Sequence, residues 1–377
     1  MKTSKEYPFY IKSTVILLGL VLLSYALYTL ADILAPIAFS MIIAILLNPL
    51  VNKFQRKGMN KVLAISIALF IALAVVAGIM YFITAQMLNF SDSFPQLKIK
   101  FNEHFKELQH WVAVNFNFQV SKQQKLLNDA FNGGQALLGK TVGGAFGVIG
   151  FFVLIPIYVF LLLFYKTLII NFLHEVFAEE NVNRVSEILD ETKTAIQSYM
   201  VGLLVEALVV ATLNSIALML CGVQYAILLG VIGALLNMLP YIGGIIAIAL
   251  PVLIAMVTKD GFSTPIAIVA AYTVIQFIDN NFLVPFLVSS RVKINAFFSI
   301  VVVLLGGALW GVAGMFLSIP FVAILKIIFD RLPEMKPWGK LLGDEIPTRH
   351  KGEIWKRKLK KVAAKEKTQE VKNPQAQ

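Results

Sequence analysis

Two long apolar stretches in the second half of this chain are each interrupted near mid-length, and no other feature constrains its fold as much. The first runs from Tyr225 to Val257 and is broken at Asn237-Met-Leu-Pro240-Tyr241-Ile-Gly243-Gly244. The second runs from Phe297 to Ile328 and is broken at Gly306-Gly307-Ala-Leu-Trp-Gly311-Val-Ala-Gly314, with Pro320 following. A helix needs about 20 apolar residues to cross a hydrocarbon layer about 30 Å thick, so a stretch of roughly thirty is too long for one straight span and too short for two full ones. A break at that depth frees backbone amides and carbonyls that protein, water or a solute must satisfy. Paired interruptions of this kind are the sequence sign of a transport site near the midplane.

The remainder of the chain places these stretches in a membrane. Hydrophobic residues make up 58% of the sequence and charged residues 15%, against an apolar share of about 45–50% in soluble domains. The pattern predicts an all-α polytopic membrane protein with about eight membrane segments, two of them broken or hairpin-like, and amphipathic helices outside the bilayer. The segments are Ile11–Ala31, Ile33–Leu50, Val62–Met87, Phe146–Tyr165, Met200–Cys221, the broken Tyr225–Val257, Pro265–Val288 and the broken Phe297–Ile328. The first is longer than the roughly 7–15-residue core of a signal peptide and lacks a small-x-small cleavage site, so it reads as a retained span.

Charge orients the chain. The loop between the second and third spans carries Lys53, Arg56, Lys57 and Lys61 without an acid, and the tail from Arg331 holds thirteen Lys and Arg against six Asp and Glu. Positive loops mark the cytoplasmic side, which puts both termini on that side of the membrane. If both broken stretches are hairpins, Lys259-Asp260 lies outside and Arg291, Lys293 and the tail lie inside. Two single crossings would also keep the tail inside but would move Arg291 and Lys293 outward. The resulting divisions are residues 1–88 (N-terminal spans), 89–145 (an extracytoplasmic amphipathic insertion), 146–170 (a span), 171–199 (a cytoplasmic amphipathic helix), 200–330 (the transport core) and 331–377 (a basic tail). In the outer insertion Phe101, Phe105, Leu108 and Val112 recur at helical spacing, and Trp111, Phe116 and Phe118 suit headgroup depth. In the inner one Val182, Val185, Leu189, Thr192 and Ile196 share a face, fit to pack on the membrane, on a neighbouring subunit or within the chain. The tail reads as a solvated topology determinant with affinity for anionic lipid heads. No recognition fold accompanies it, so no nucleic-acid partner is expected.

Several chemistries are disfavoured. Gly134-Gln-Ala-Leu-Leu-Gly139-Lys140-Thr141 matches the phosphate-loop pattern letter for letter, but that loop works only between a buried strand and a helix, and the residues before it are polar and helix-like. The same glycines continue into Gly143, Gly144, Gly147 and Gly150, a small-residue face for close helix packing. The single cysteine, Cys221, gives no disulfide framework, and His104, His110, His174 and His350 are scattered, without metal-ligand spacing. No nucleophile elbow is present. The expectation is a protein that is not an enzyme and carries no cofactor or metal.

Polar residues inside the spans carry the candidate chemistry. Glu206 lies six residues into an apolar span, where an acidic side chain costs about 2.5–3.5 kcal/mol at the helix centre. Such a group is protonated, paired or lining a wet cavity; it serves either as a proton carrier or as a neutral packing hydrogen bond. Tyr272, Gln276 and Asp279 fall at i, i+4 and i+7 on one helical face, and Asn280 and Asn281 follow before Pro285. Their oxygens can replace the hydration of a small polar solute or a cation, or Asp279 marks the inner membrane boundary. Asn214 and Asn237 would complete the cavity.

The blocks Asn237 to Gly244, Gln276-Phe-Ile-Asp279-Asn280-Asn-Phe-Leu-Val-Pro285 and Gly306 to Met315 with Ile319-Pro320 stand in one order and spacing. Together with their flanking spans they make the chain, up to about Pro333, resemble the autoinducer-2 exporter family of bacterial membrane proteins, also described as PerM-like permeases. The resemblance implies export of a furanone-type signal by some members, sodium or lithium for proton exchange by others, an inner-membrane location and homo-oligomers. Many relatives carry a His-Pro pair soon after the seventh span; this chain reads Lys293-Ile-Asn295-Ala-Phe-Phe, and Asn295 is a polar substitute. The leading expectation is a proton-coupled exporter of a small polar solute, with Glu206 linked to the proton, and with Asn237, Gln276, Asp279 and Asn280 facing the solute. Pro240, Tyr241, Gly243, Gly244, Gly306, Gly307, Gly311, Gly314 and Pro320 would form gates or ligand-contacting bends. A monovalent cation/proton antiporter is the alternative. A membrane scaffold that recruits partners through residues 181–199 and the tail ranks last, because it has no need of acids and amides inside its spans.

Overall fold

The computed structural model describes residues 8–116, 121, 125, 145–177, 182–239, 243–259, 261–288 and 294–344. Among these, every regular element is a helix: α1 Phe9–Thr29, α2 Ala31–Arg56, α3 Lys61–Phe116, α4 Ala145–Phe164, α5 Lys166–Val176, α6 Val182–Leu220, α7 Ala226–Asn237, α8 Gly243–Thr258, α9 Ser263–Ile278, α10 Ala296–Arg331 and α11 Lys336–Leu342. Helix α9 continues as a π-helical segment, Asp279–Val288. Six helices are long and apolar enough to cross a membrane, and the α4–α5 pair, bent by 62°, qualifies as a seventh span; α7 and α8 are shorter apolar helices. The exposed large apolar side chains on α1, α3 and α6 are what a lipid-facing surface requires.

Three boundaries differ from the sequence-based expectation. Helix α3 passes through residue 88 without a break, so the outer amphipathic stretch, up to Phe116, prolongs the third span. Helix α6 likewise fuses the inner amphipathic stretch to the fifth span. No Pro or Gly interrupts either junction, and a helix once nucleated propagates through polar residues at little cost. The α4–α5 bend at Tyr165 was not expected. The phosphate-loop look-alike, Gly143 and Gly144, Phe118, Pro240, Tyr241, Asp260, Arg291, Lys293, His350 and the tail beyond 344 lie outside the described residues.

Both broken stretches fold back on themselves. A Cβ at Gly314 would collide with the carbonyl of Gly306, and Gly307 faces Met315; in a straight helix residues eight apart lie about 12 Å from one another. The chain reverses at Trp310 (φ −130°, ψ 19°) and Gly311 (φ 59°, ψ −141°), a backbone that glycine adopts without a Cβ clash. Helix α10 is therefore a hairpin of two arms, 296–309 and 312–331. Both ends lie together: Asn295 N–H donates to the Leu342 carbonyl at 2.9 Å, just beyond the second arm. In the other hairpin, α7 and α8 lie antiparallel, with Leu229 and Ala226 clustered with Ile254 and Ala255.

The hairpins enter from opposite ends of the bundle. Lys61 Nζ donates to the Phe164 carbonyl at 2.7 Å, Lys166 Nζ to Asn48 Oδ1 at 3.0 Å, and Gln197 Nε2 to the Ile45 carbonyl at 2.7 Å. These contacts gather Lys53, Arg56, Lys57, Lys61 and Lys166 at one end, here termed the basic end. Arg331 joins them, gripping Glu187 and, at 2.8 Å, Glu191, one turn apart on α6. The α10 hairpin starts and finishes at this end, and its tip reaches away, where Trp310 Nε1 donates 2.8 Å to the Leu27 carbonyl in the last turn of α1. The α7–α8 hairpin starts at the far end, after the turn at Cys221–Tyr225, and its tip points toward the basic end. At about 18 Å and 24 Å, its 12- and 16-residue arms are shorter than the hydrocarbon layer.

Candidate functional site

Four elements converge on the tip of the α7–α8 hairpin. Helix α6 presents Glu206, 6% exposed, and α9 with its π-helical extension presents Gln276, Asp279 and Asn280, of which Asp279 is 2% exposed. Pro285 lies inside the π segment, where it supplies no N–H and its ring excludes an ordinary bond to the carbonyl four residues earlier. Wide turns of this kind recur at functional sites. Asn237, at the end of α7, donates through Nδ2 to Asp279 Oδ2 at 2.8 Å, and Gln276 Nε2 lies 3.4 Å from the same oxygen. Gly244, at the start of α8, faces both the Gln276 and Asn237 amide oxygens.

Glu206 and Asp279 are both buried and line the same cavity, near enough for each carboxyl to act on the other. Two buried carboxylates close together repel strongly, and protonating one of them relieves that repulsion. Asp279 Oδ1 has no hydrogen-bond partner among the described residues, so the cluster keeps an acceptor in reserve.

These groups line a cavity of ≈ 670 Å³, together with Tyr199, Leu203, Met238, Leu239, Ile248, Val284, Val288, Ile294, Ser299 and Ile319. Tyr199, Val288, Ile294 and Ser299 belong to the basic end, so the cavity extends from the buried carboxyls toward that end. Few polar groups converge within a mostly apolar wall, the usual make-up of a site for a small molecule.

Of the residues singled out from sequence, Glu206, Asn237, Gly244, Gln276, Asp279 and Asn280 come together here. Asn214 and Tyr272 do not: both are buried deeper toward the far end, facing Gly233 of α7, with Asn214 Oδ1 and the Tyr272 hydroxyl lacking partners among the described residues. Gly243 packs against the Leu236 carbonyl and closes the hairpin tip, and exposed Pro285 shapes the π segment away from the cavity. Gly306, Gly307, Gly311 and Gly314 form the inner face and turn of the second hairpin, and Pro320 is buried in its second arm. Asn295 caps the first arm by accepting from Phe298 N–H at 3.0 Å and donates to the Leu341 and Gly343 carbonyls. Sequence reasoning missed Tyr199, which it assigned to a surface helix, Leu203, which it left as one more apolar residue of the fifth span, and Ile294 and Ser299, which the α10 fold-back brings to the site.

Asn237→Ala would remove the short hydrogen bond to Asp279 and leave a buried carboxyl under-satisfied, at a cost of about 1–3 kcal/mol. A thermal-unfolding series in detergent, with Asn214→Ala as comparison, measures it.

Two short helical hairpins entering from opposite ends of a multi-pass bundle, with a cavity holding buried carboxyls and amides between them, fit the architecture of a membrane transporter. The sequence profile of the AI-2E family of transporters matches residues 15–334, and the chain belongs to that family. It is similar to a Haemophilus influenzae protein provisionally named as a transport protein, 25% identical over 83% of this chain and 91% of the relative. It is also similar to the Escherichia coli AI-2 transport protein TqsA, 24% identical over 88% of this chain and 95% of TqsA, and to E. coli YhhT, provisionally named as a transport protein, 24% identical over 88% and 94%.

Proposed function

We propose that this protein exports a small polar solute of the autoinducer-2 type across the bacterial inner membrane in exchange for protons, using the cavity between the hairpins. The observation that carries this reading is the buried carboxyl pair, Glu206 and Asp279, set in a cavity with the neutral amides of Asn237, Gln276 and Asn280. Amides match the hydroxyl and carbonyl groups of a neutral polar solute, and the pair supplies one exchangeable proton. The basic end is cytoplasmic in this reading, so the cavity faces the cell interior and loads from it. The name of TqsA supports the solute class, and the chain acts without catalysis. Homo-oligomers, a role in cell-to-cell signalling and the basic tail as a topology determinant complete the proposal.

A monovalent cation exchanged for a proton is the second reading, favoured by Asp279 Oδ1, which has no hydrogen-bond partner among the described residues. The ≈ 670 Å³ volume ranks it second, since a bare cation needs a far smaller cage. Proteoliposomes with an imposed proton gradient separate the two. Gradient-driven accumulation of labelled autoinducer-2 is the expected result; sodium- or lithium-dependent proton release without accumulation supports the second reading, and the absence of both overturns the proposal.

A further inference from the structure

A second concavity, ≈ 370 Å³, opens on the lipid-facing side between α2, α6 and the π-helical segment. Its walls are mainly apolar: Leu46 and Pro49 from α2, Val201 and Val205 from α6, and Phe286 and Leu287 from the π segment. Val201 and Val205 are 48% and 40% exposed and Phe286 79%, so the crevice faces the surroundings of the bundle and not its core.

Both helical walls lead to lysine at the basic end. On α6 the lining stripe Val205, Val201, Gln197 continues at the same four-residue step to Lys193; on α2 the lining pair Leu46 and Pro49 continues to Lys53, which one helical face brings into line. Lys166 stands close by, beyond the end of α4, tethered to Asn48 beside Pro49. Lys193 and Lys61 stand near enough for their positive charges to act on it. Among the described residues the only ion pair these lysines make is Lys193 with Asp190 at 3.3 Å, and Asp190 is 79% exposed. Lys61 instead donates to the Phe164 carbonyl and sits 5.4 Å over the Phe164 ring.

We infer that this crevice binds an anionic phospholipid, one acyl chain lying along Val201, Val205 and Phe286 and the phosphate held by Lys193, Lys166 and Lys53. Apolar contact at hydrocarbon depth and positive charge at headgroup depth match an amphipathic anion, and basic pockets between spans at the cytoplasmic surface are suited to acidic lipid heads. The bound lipid would press on the contact between Gly202 and the Leu287 carbonyl, where α6 meets the segment that begins with Asp279. Membrane charge would in this way reach the transport helix from outside the solute cavity.

The inference does not depend on the solute, and its test reads binding alone. The full chain is purified in neutral detergent, offered phosphatidylglycerol or phosphatidylcholine, and examined by native mass spectrometry and thermal unfolding. Retention of phosphatidylglycerol in preference to phosphatidylcholine is expected, with a higher unfolding temperature. Lys166→Gln with Lys193→Gln should weaken phosphatidylglycerol binding on the order of tenfold or more without changing phosphatidylcholine binding. Val201→Trp, which fills the crevice, should weaken it with all lysines intact. Equal retention of the two lipids, indifference to both variants, or full displacement by inorganic phosphate would overturn the inference. So would efficient disulfide cross-linking between two copies through Val201→Cys in a Cys221→Ser background, which would assign the crevice to a second copy.

Discussion

Glu206→Gln is expected to abolish proton-driven accumulation of solute while leaving solute counterflow intact. With one proton exchanged per solute molecule, a gradient of about two pH units supports about hundredfold accumulation, because each unit is worth about 1.4 kcal/mol. The variant should bring that ratio to about one. Glutamine keeps the size of the side chain and still offers an N–H to Asp279, so the cavity and its solute contacts persist while the exchangeable proton is gone. Counterflow of labelled against unlabelled solute, with no gradient imposed, distinguishes lost coupling from lost folding. If accumulation survives in Glu206→Gln, a proton carried by Glu206 and Asp279 does not drive transport.

Gly314→Val is expected to prevent the α10 hairpin from closing, with a loss of about 3 kcal/mol or more. The obstacle is backbone against backbone: the added Cβ meets the Gly306 carbonyl, and Trp310 Cβ lies 3.0 Å from the same point. Neither can swing aside as the end of a flexible side chain would. Gly311→Ala is the instructive contrast. A Cβ there meets nothing within 4 Å, and its cost is only that of a backbone (φ 59°, ψ −141°) favoured by glycine, about 1–3 kcal/mol. Thermal unfolding in detergent should therefore rank Gly314→Val well below Gly311→Ala. Equal stability of the two would mean that the arms do not touch at Gly306 and Gly314.

The spans and the two interruptions were legible in the sequence because lipid imposes a length on every apolar run, and because glycine and proline mark the places where a helix stops. The same rule explains what was not legible. Helices α3 and α6 run on past their apolar portions because nothing at residue 88 or at residues 199–200 breaks them, and hydropathy records burial in lipid, not helix length. Glu206, Gln276 and Asp279 stood out as polar groups in apolar surroundings, but the approach of Glu206 to Asp279, across 73 positions of chain, follows from α6 packing directly on the π segment, with Gly202 against the Leu287 carbonyl. Asn214 and Tyr272 carried the same polar signal, yet Gly233 draws them to another level of the bundle. Asn295 read as a substitute for a histidine in relatives; its three side-chain hydrogen bonds make it the clamp between the α10 hairpin and α11.

The central claim is that solute occupies the cavity between the hairpins and reaches it from the basic end. Ser299→Cys in a Cys221→Ser background places a thiol on the cavity wall near its mouth, and labelling by a membrane-impermeant reagent in oriented vesicles tests the claim directly. The account predicts labelling from the face that bears the Lys53–Lys61 loop, slowed by autoinducer-2, with the slowing lost in Asp279→Asn. Labelling only from the opposite face, or at a rate that autoinducer-2 leaves unchanged, would contradict it.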